Sequence, residues 1–344
     1  MPRRAKKESI MFESLKQAYL PDMNFPVRTI DAEKCSKCGR CFETCPTYGY
    51  RWEKGQVPEP VGYGGFSQAC INCGNCIAVC PTGAITMTGS FVIPSGRYKV
   101  LLEGKMAAPH PLGAEEQPYE TIEPELTEVE KAIYTRRSNR LFKDKPVPRE
   151  LLARILEAGR FAPSAGNCQP YRFIVITNQK IIKEFERRAM GSLRLLKNLY
   201  MAKDGKRSTI KKIVFSVISW FSINKMDPRP ITAMEKADHT DGAIYFDAPA
   251  VILILKDKRG ISNPDLDTGI CAQNMVLAAH SLGLGTCYVS LPMEPLSMPL
   301  MAGFRKKLGI GKPYVAVTSI AVGYARGKID GPVKRDTPRV DWKL

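Results

Sequence analysis

The hydrophobic pattern changes character about a third of the way along the chain. From Leu126 onward it reads as alternating helices and strands. Leu126 to Arg137 carries Leu126, Val129, Ile133 and Tyr134 at helical spacing, and Pro148 to Phe161 carries Leu151, Leu152, Ile155, Leu156 and Ala158 behind a leading proline. Leu266 to Leu282 is a third helix, with Ile270, Met275, Val276 and Ala279 on one side. Between and after these lie near-continuous apolar runs that predict buried strands: Tyr171 to Thr177, Ala250 to Leu255 and Tyr314 to Gly323. Helices alternating with strands predict an α+β or α/β sandwich, with strand order left open.

Before residue 125 the pattern is short and broken. Val27 to Asp31 and Cys80 to Met87 are brief strand candidates. Pro46 to Ala69 is rich in Gly, Pro and Tyr and reads as a surface loop. Pro109, Pro111, Pro118 and Pro124 mark a linker. The expected organisation is therefore a first domain over 1–103, a linker over 104–124 and a second domain over 125–344.

Cysteine spacing defines the first domain. One run reads Cys35-Ser36-Lys37-Cys38-Gly39-Arg40-Cys41-Phe42-Glu43-Thr44-Cys45-Pro46. The other reads Cys70-Ile71-Asn72-Cys73-Gly74-Asn75-Cys76-Ile77-Ala78-Val79-Cys80-Pro81. Both resemble the C-x2-C-x2-C-x3-C-P runs of two-[4Fe-4S] bacterial ferredoxins. The resemblance implies crossed ligation. Cys35, Cys38, Cys41 and Cys80 would hold one cluster, and Cys70, Cys73, Cys76 and Cys45 the other. A structural zinc site uses four ligands, not eight. Disulfides ask for an oxidising compartment, and the basic N-terminus has no apolar run behind it, so a reducing cytoplasmic setting is expected.

In the second domain, Arg136, Arg137, Ser138 and Arg140 lie within five residues and make an anion cradle. Taken alone, such a stretch reads more readily as a solvated basic turn, but it is not isolated. Further on, Pro163-Ser164-Ala165-Gly166-Asn167-Cys168-Gln169-Pro170 offers small residues for close approach to a planar ring, with amides to read its polar edge. With Asp267 to Met275, Gly283 to Tyr288 and Val322-Gly323-Tyr324, these stretches resemble the FMN-dependent nitroreductase family over about 125–340. The implied fold is a nitroreductase-like α/β sandwich after a ferredoxin-like domain, α+β as a whole.

The resemblance implies roles residue by residue. Arg136, Ser138 and Arg140, with Arg137 beside them, would hold the FMN phosphate and ribityl oxygens. Pro163, Ser164, Ala165, Asn167 and Gln169 would line the flavin from the other subunit of a homodimer, whose interface the helix from Asp267 would help to form. Tyr288, Val289 and Ser290 would pass near its reactive edge. Lys334 or Arg335 would close on the phosphate, with Arg326 or Lys328 as substitutes. No side chain is expected to act as nucleophile or acid–base catalyst. Cys168, Cys271 and Cys287 read as small hydrophobes and the three histidines as ordinary surface or core residues.

Composition changes little except through charge. A formal net charge of +17 favours an acidic partner, an anionic substrate or a membrane surface. Bound clusters and a flavin phosphate would lower it to about +11 by simple addition. No helix-turn-helix, zinc finger or aromatic RNA motif accompanies it, so no nucleic-acid partner is expected. Residues 187–236 hold 12 Lys/Arg against 3 Asp/Glu around the apolar run Ile213 to Phe221. This insertion reads as a cover that shapes access to the flavin, or as a contact with anionic lipid, or as a solvated helix pair.

The combination suggests electrons arriving one at a time from a low-potential donor such as ferredoxin and leaving through FMN to a small organic acceptor, a nitro group or an activated C=C bond. Two other readings stand beside it: an electron carrier for a larger complex, and a flavin-fragmenting or dehalogenating relative.

Overall fold

The computed structural model describes residues 25–61, 70–89, 106–112, 114–200 and 228–343. The basic arm before Phe25 and the apolar run Ile213 to Phe221 lie outside them. Two compact units are distinguished: the described parts of Met1–Leu126, Arg194–His239 and Pro332–Leu344, and Thr127–Leu193 with Thr240–Gly331.

The first unit is built on its cysteine runs. The strand Val27–Ile30 pairs antiparallel with Ile85–Thr88, Val27 opposite Thr88. Between them the short helices Arg40–Thr44 and Asn75–Ala78 pack on each other. The core is small and consists largely of sulfur and aromatic side chains: Cys41, Tyr50, Cys76 and Ile85, flanked by Phe42, Cys45 and Cys80. Such a core buries too little apolar surface to be stable without a metal staple.

Two expectations need correction here. The described part of the 46–69 stretch is not a plain loop, because Tyr50–Arg51 pairs with Glu59–Pro60 and Tyr50 is 3 % exposed. A two-residue ladder is too short to leave a period-two signature. The 104–124 stretch also carries structure: Met106–Ala107 pairs with Arg335–Asp336, Glu116 bonds Lys334 Nζ at 3.0 Å, and Tyr119–Ile122 is helical.

In the second unit the elements are α1 (Glu128–Thr135), α2 (Arg149–Arg160), β1 (Tyr171–Ile176), α3 (Gln179–Tyr200) as far as Leu193, β2 (Ala250–Asp257), α4 (Pro264–Ser281), β3 (Gly285–Tyr288), α5 (Met293–Ser297), α6 (Ala302–Lys307) and β4 (Tyr314–Gly323). The sheet order is β1-β2-β4-β3, antiparallel at every joint. Ala250 to Leu255 are fully buried because both faces of β2 are covered. Ile252 and Ile254 meet Ile155 of α2 and Met275, Val276 and Ala279 of α4. On the opposite face Leu253 pairs with Ser319, whose hydroxyl meets Tyr245 at 3.1 Å, and the Tyr245 ring packs at a tilt against Phe185 of α3, which packs at a tilt against Phe304 of α6. Each buried aliphatic side chain contributes about 1.5–3 kcal/mol.

Local signals set the helix ends. Thr127 and Glu130 form a reciprocal capping box at α1. Asn263 accepts from Leu266 N at the start of α4, with Pro264 in its first turn.

The edge strand β3 carries the cradle. Ser138 bridges Thr286 in parallel, and Asn139 N donates to the Thr286 carbonyl at 2.7 Å. A Cβ at Gly285 would lie 2.9 Å from Asn139 Cβ and 3.3 Å from Ala325 Cβ. Gly285→Ala is therefore expected to destabilise by about 1–3 kcal/mol, read as a lower denaturation midpoint at unchanged slope.

Candidate functional site

The two cysteine runs fold alike, residue for residue. Lys37 (φ 57°) and Asn72 (φ 55°) both take the left-handed conformation, as do Gly39 (φ 70°) and Gly74 (φ 68°). The turn aims N–H groups at sulfur: Lys37 N donates to Cys35 Sγ and Asn72 N to Cys70 Sγ, each at 3.4 Å. Glycine is required at 39, where a Cβ would sit 2.5 Å from Trp52 Cη2.

Some of the thiols interact across the two runs. Cys76 feels Cys73, Cys45 and Cys70; Cys70 feels Cys73 and Cys45. Cys41 feels Cys38 and Cys80 instead. Burial, with like charges adding to it, pushes Cys41 and Cys76 up to about 12 and Cys70 to about 11. Cys80 moves down: burial opposes this, but the Thr82 hydroxyl and the N–H groups of Thr82, Ala84 and Gly83 outweigh it. Buried thiols that resist ionisation on their own become good ligands when a metal supplies the compensating charge.

The surroundings fit such a group. The buried Arg28 Nε and Tyr50 hydroxyl lack ordinary hydrogen-bond partners, and Arg28 lies within electrostatic reach of Cys70, Cys45 and Cys76. Among the described residues no three His, Cys, Asp or Glu side chains could hold a single metal ion. A cube spreads its thiolates over four corners and asks for wider spacing than one ion does.

The cradle lies just after α1. Arg136 caps that helix through Arg136 N to the Ala132 carbonyl at 3.2 Å. Its charge reaches both Tyr288 and His280, so Arg136 and Tyr288, both implied as flavin neighbours, are brought together. Arg137 is 3 % exposed and donates Nη2 to the Lys328 carbonyl at 2.5 Å; part of its role is to hold the chain. Arg140 lies over the Phe246 ring at 5.7 Å. The donor set of Arg136, Ser138 and Arg140 suits a phosphate ester. Val289 N is bonded to the Ser319 carbonyl and Ser290 Oγ to Thr318 Oγ1, both at 2.8 Å.

The 163–170 loop is anchored elsewhere, on the first turns of α4. Asp267, 5 % exposed, accepts from Ala165 N through Oδ1 at 3.3 Å, and its Oδ2 has no partner. Gly166, Asn167 and Gln169 all have positive φ, between 46° and 55°. Gln169 N donates to Ser164 Oγ at 3.0 Å and Gln169 Nε2 to Asn167 Oδ1 at 3.1 Å. Of the C-terminal cations, Lys334 pairs with Glu116 and Arg335 pairs with Ala107 within the first unit. Arg326 N donates to the Leu141 carbonyl, and Lys328 meets Arg137, within the second.

Arg28, Tyr50, Asn139 and Lys236 were not singled out from sequence. Arg28 had one usable signal: it shares strand parity with Ile30. His280 is another such residue, buried with Nε2 3.1 Å from both Thr135 Oγ1 and Asp330 Oδ1. Burial, opposed by Asp330 and aided by Arg136 and Arg137, holds it below the usual histidine range. A depressed histidine contributes stability that is present above the unfolded value of about 6.5 and lost as pH falls through the folded one. Melting temperature is thus expected to fall between about pH 7 and pH 5, and to fall less in His280→Gln.

Residues 133–324 match the model of the nitroreductase family, and residues 34–84 match that of the 4Fe-4S dicluster domain. The first match spans more than half of the chain, and the chain belongs to the nitroreductase family. It is an oxidoreductase of that family that carries a two-cluster iron–sulfur domain. It is 27 % identical over 201 residues to a putative NADH dehydrogenase/NAD(P)H nitroreductase of Methanothermobacter thermautotrophicus, covering 57 % of this chain and 77 % of that one. It is 26 % identical over 208 residues to the nitrobenzene nitroreductase of Ectopseudomonas oleovorans, covering 57 % and 86 %. Among solved structures it resembles a nitroreductase with bound FMN from Desulfitobacterium hafniense, at 26 % identity, a TM-score of 0.43, and coverage of 63 % and 95 %.

Proposed function

We propose that the chain is an iron–sulfur flavoprotein in which two [4Fe-4S] clusters deliver electrons to FMN for reduction of a small organic acceptor. The clusters accept single electrons and the flavin combines two of them for delivery to substrate. Cys35, Cys38, Cys41 and Cys80 hold one cluster; Cys45, Cys70, Cys73 and Cys76 hold the other. Arg136, Ser138 and Arg140 fix the FMN phosphate and ribityl end, and Arg137 braces them from behind. Arg326 and Lys328 stand as the C-terminal cations on that side, ahead of Lys334 and Arg335.

In the homodimer, the loop of Pro163, Ser164, Ala165, Asn167 and Gln169 approaches the flavin of the other copy. The Tyr288–Ser290 segment borders its reactive edge. The acceptor is a nitro group or an activated C=C bond, and the donor is a ferredoxin or a similar low-potential carrier. A reducing cytoplasm suits the free thiols. Among the described residues no helix is long and apolar enough to cross a membrane.

What supports this reading is that the eight cysteines of a 4Fe-4S dicluster domain and the Arg136 cradle of a nitroreductase domain occur in a single chain. Anaerobically purified protein is expected to contain about eight iron and eight acid-labile sulfide per chain, with one FMN. Its spectrum should show flavin bands on a broad cluster shoulder. Iron near four, or no flavin, would contradict it.

A further inference from the structure

The two thiol groups differ in what surrounds them. Arg28 is 8 % exposed. Its guanidinium sits 4.9 Å from the centre of the Tyr50 ring, and Nη2 donates to the Val61 carbonyl at 2.8 Å. A Cβ on Gly49 would lie 2.5 Å from Arg28 Nη1 and 3.0 Å from Cys45 Sγ. The absent side chain therefore lets a cation and that sulfur come near each other. Cys70, Cys45 and Cys76 all act on Arg28. Lys236 adds a second cation, with Nζ 2.5 Å from the Cys45 carbonyl and 5.7 Å from the centre of the Phe42 ring. The Tyr50 hydroxyl stands beside Cys76.

Among the described residues, the cations in and beside the first cysteine run lie nearer the surface than Arg28. Lys34 and Lys37 are exposed, and Arg40 is half-buried. Water and salt screen exposed charges over short distances, while a buried charge in a low-dielectric setting is screened far less. The balance of charge therefore favours the inner group, although more cations are written into the first cysteine run.

We propose that Arg28 is a potential-setting residue for one cluster only, the one held by Cys45, Cys70, Cys73 and Cys76. This rests on the crossed ligand sets given above. Adding an electron makes a cluster more negative, and burial alone disfavours that state. A fixed guanidinium beside three of the four ligands favours it, and so keeps the more buried cluster reducible. Tyr50 acts in the same direction through its hydroxyl, and Lys236 reinforces it at the Cys45 carbonyl. If Arg28 merely buttressed Val61 and Tyr50, its loss would affect stability without moving one cluster's potential.

The test is an anaerobic redox titration followed by electron paramagnetic resonance, with iron counted first. Wild-type protein should hold about eight iron per chain and show two cluster transitions. In Arg28→Gln one transition should move to more negative potential by a tenfold change in its reduction equilibrium, about 59 mV for one electron, while the other stays. Arg28→Lys should keep the midpoint close to that of the wild type. Tyr50→Phe should move the same transition in the same direction, and it serves if Arg28→Gln does not retain iron.

The shift should persist in a Cys38→Ala background, which keeps the Cys45 group, and vanish in a Cys73→Ala background, which keeps the other. Unmoved midpoints, equal shifts of both transitions, or the reverse dependence on background would overturn the proposal while leaving the two-cluster reading intact. Wild-type iron well below about eight would overturn both.

Discussion

Cys45→Ala is expected to halve the iron content, from about eight to about four per chain, by removing the cluster of Cys70, Cys73 and Cys76 rather than that of its own run. Cys45 closes the first run in sequence, yet its charge acts on Cys70 and Cys76 of the second. Cys80 closes the second run and acts on Cys41 of the first. The cause is local. Cys45 follows directly on the helix Arg40–Thr44 and Cys80 comes two residues after the helix Asn75–Ala78, and these two helices pack on each other. Single substitutions cannot tell crossed from uncrossed ligation, but pairs can, because two substitutions in one site do not add. Cys45→Ala with Cys73→Ala should still retain about four iron. Cys45→Ala with Cys38→Ala should retain almost none. Metal analysis of the two double variants decides the matter, and an inverted pattern would show each run binding its own cluster.

Arg136→Ala is expected to weaken FMN binding on the order of 10- to 100-fold. A charge-assisted hydrogen bond is worth about 1.5–3 kcal/mol, and 1.4 kcal/mol is tenfold in affinity. The substitution removes the guanidinium carried at the C-terminal end of α1, whose charge reaches Tyr288. Arg136→Lys should recover part of the loss, because it restores charge but not the planar fork. Arg137→Ala should behave differently. Its guanidinium is buried and bonded to the Lys328 carbonyl, so its removal should lower the melting temperature of the flavin-free protein as well. Titrating apoprotein with FMN, followed by flavin fluorescence quenching, measures the first effect. Thermal unfolding without FMN measures the second. Equal FMN affinity in wild type and Arg136→Ala would remove Arg136 from the binding site.

What the sequence disclosed follows from the range of each interaction. The cysteine runs were readable because a cluster fixes its ligands at short, repeated spacings. The strand Tyr314–Gly323 is readable in full, and Ala250–Asp257 nearly so, because each is mostly apolar and carries a run of at least five buried residues. The helix Gln179–Tyr200 was absorbed into a basic insertion because its charges dominate its composition. The strand Gly285–Tyr288 was quoted only as part of a motif, since four residues leave almost no period.

Long-range features were invisible. The order β1-β2-β4-β3 depends on partners such as Tyr171 and Lys256, far apart in sequence. So do the pairing of Lys334 with Glu116 and, separately, the hold of Arg137 on the Lys328 carbonyl. The strand parity that Arg28 shares with Ile30 is a weak local signal in a strand of four residues. Only the fold sets Arg28 beside three thiols contributed by two different runs.

The central claim is that electrons reach the flavin through the clusters. The direct test mixes a reduced low-potential ferredoxin anaerobically with FMN-loaded protein and follows flavin bleaching by stopped flow. It compares wild type with the Cys38→Ala, Cys45→Ala double variant at equal FMN occupancy. Bleaching is expected to slow by on the order of 100-fold or more in the variant, because the remaining direct encounter is a bimolecular reaction with no built relay. Equal rates in the two proteins would contradict the account.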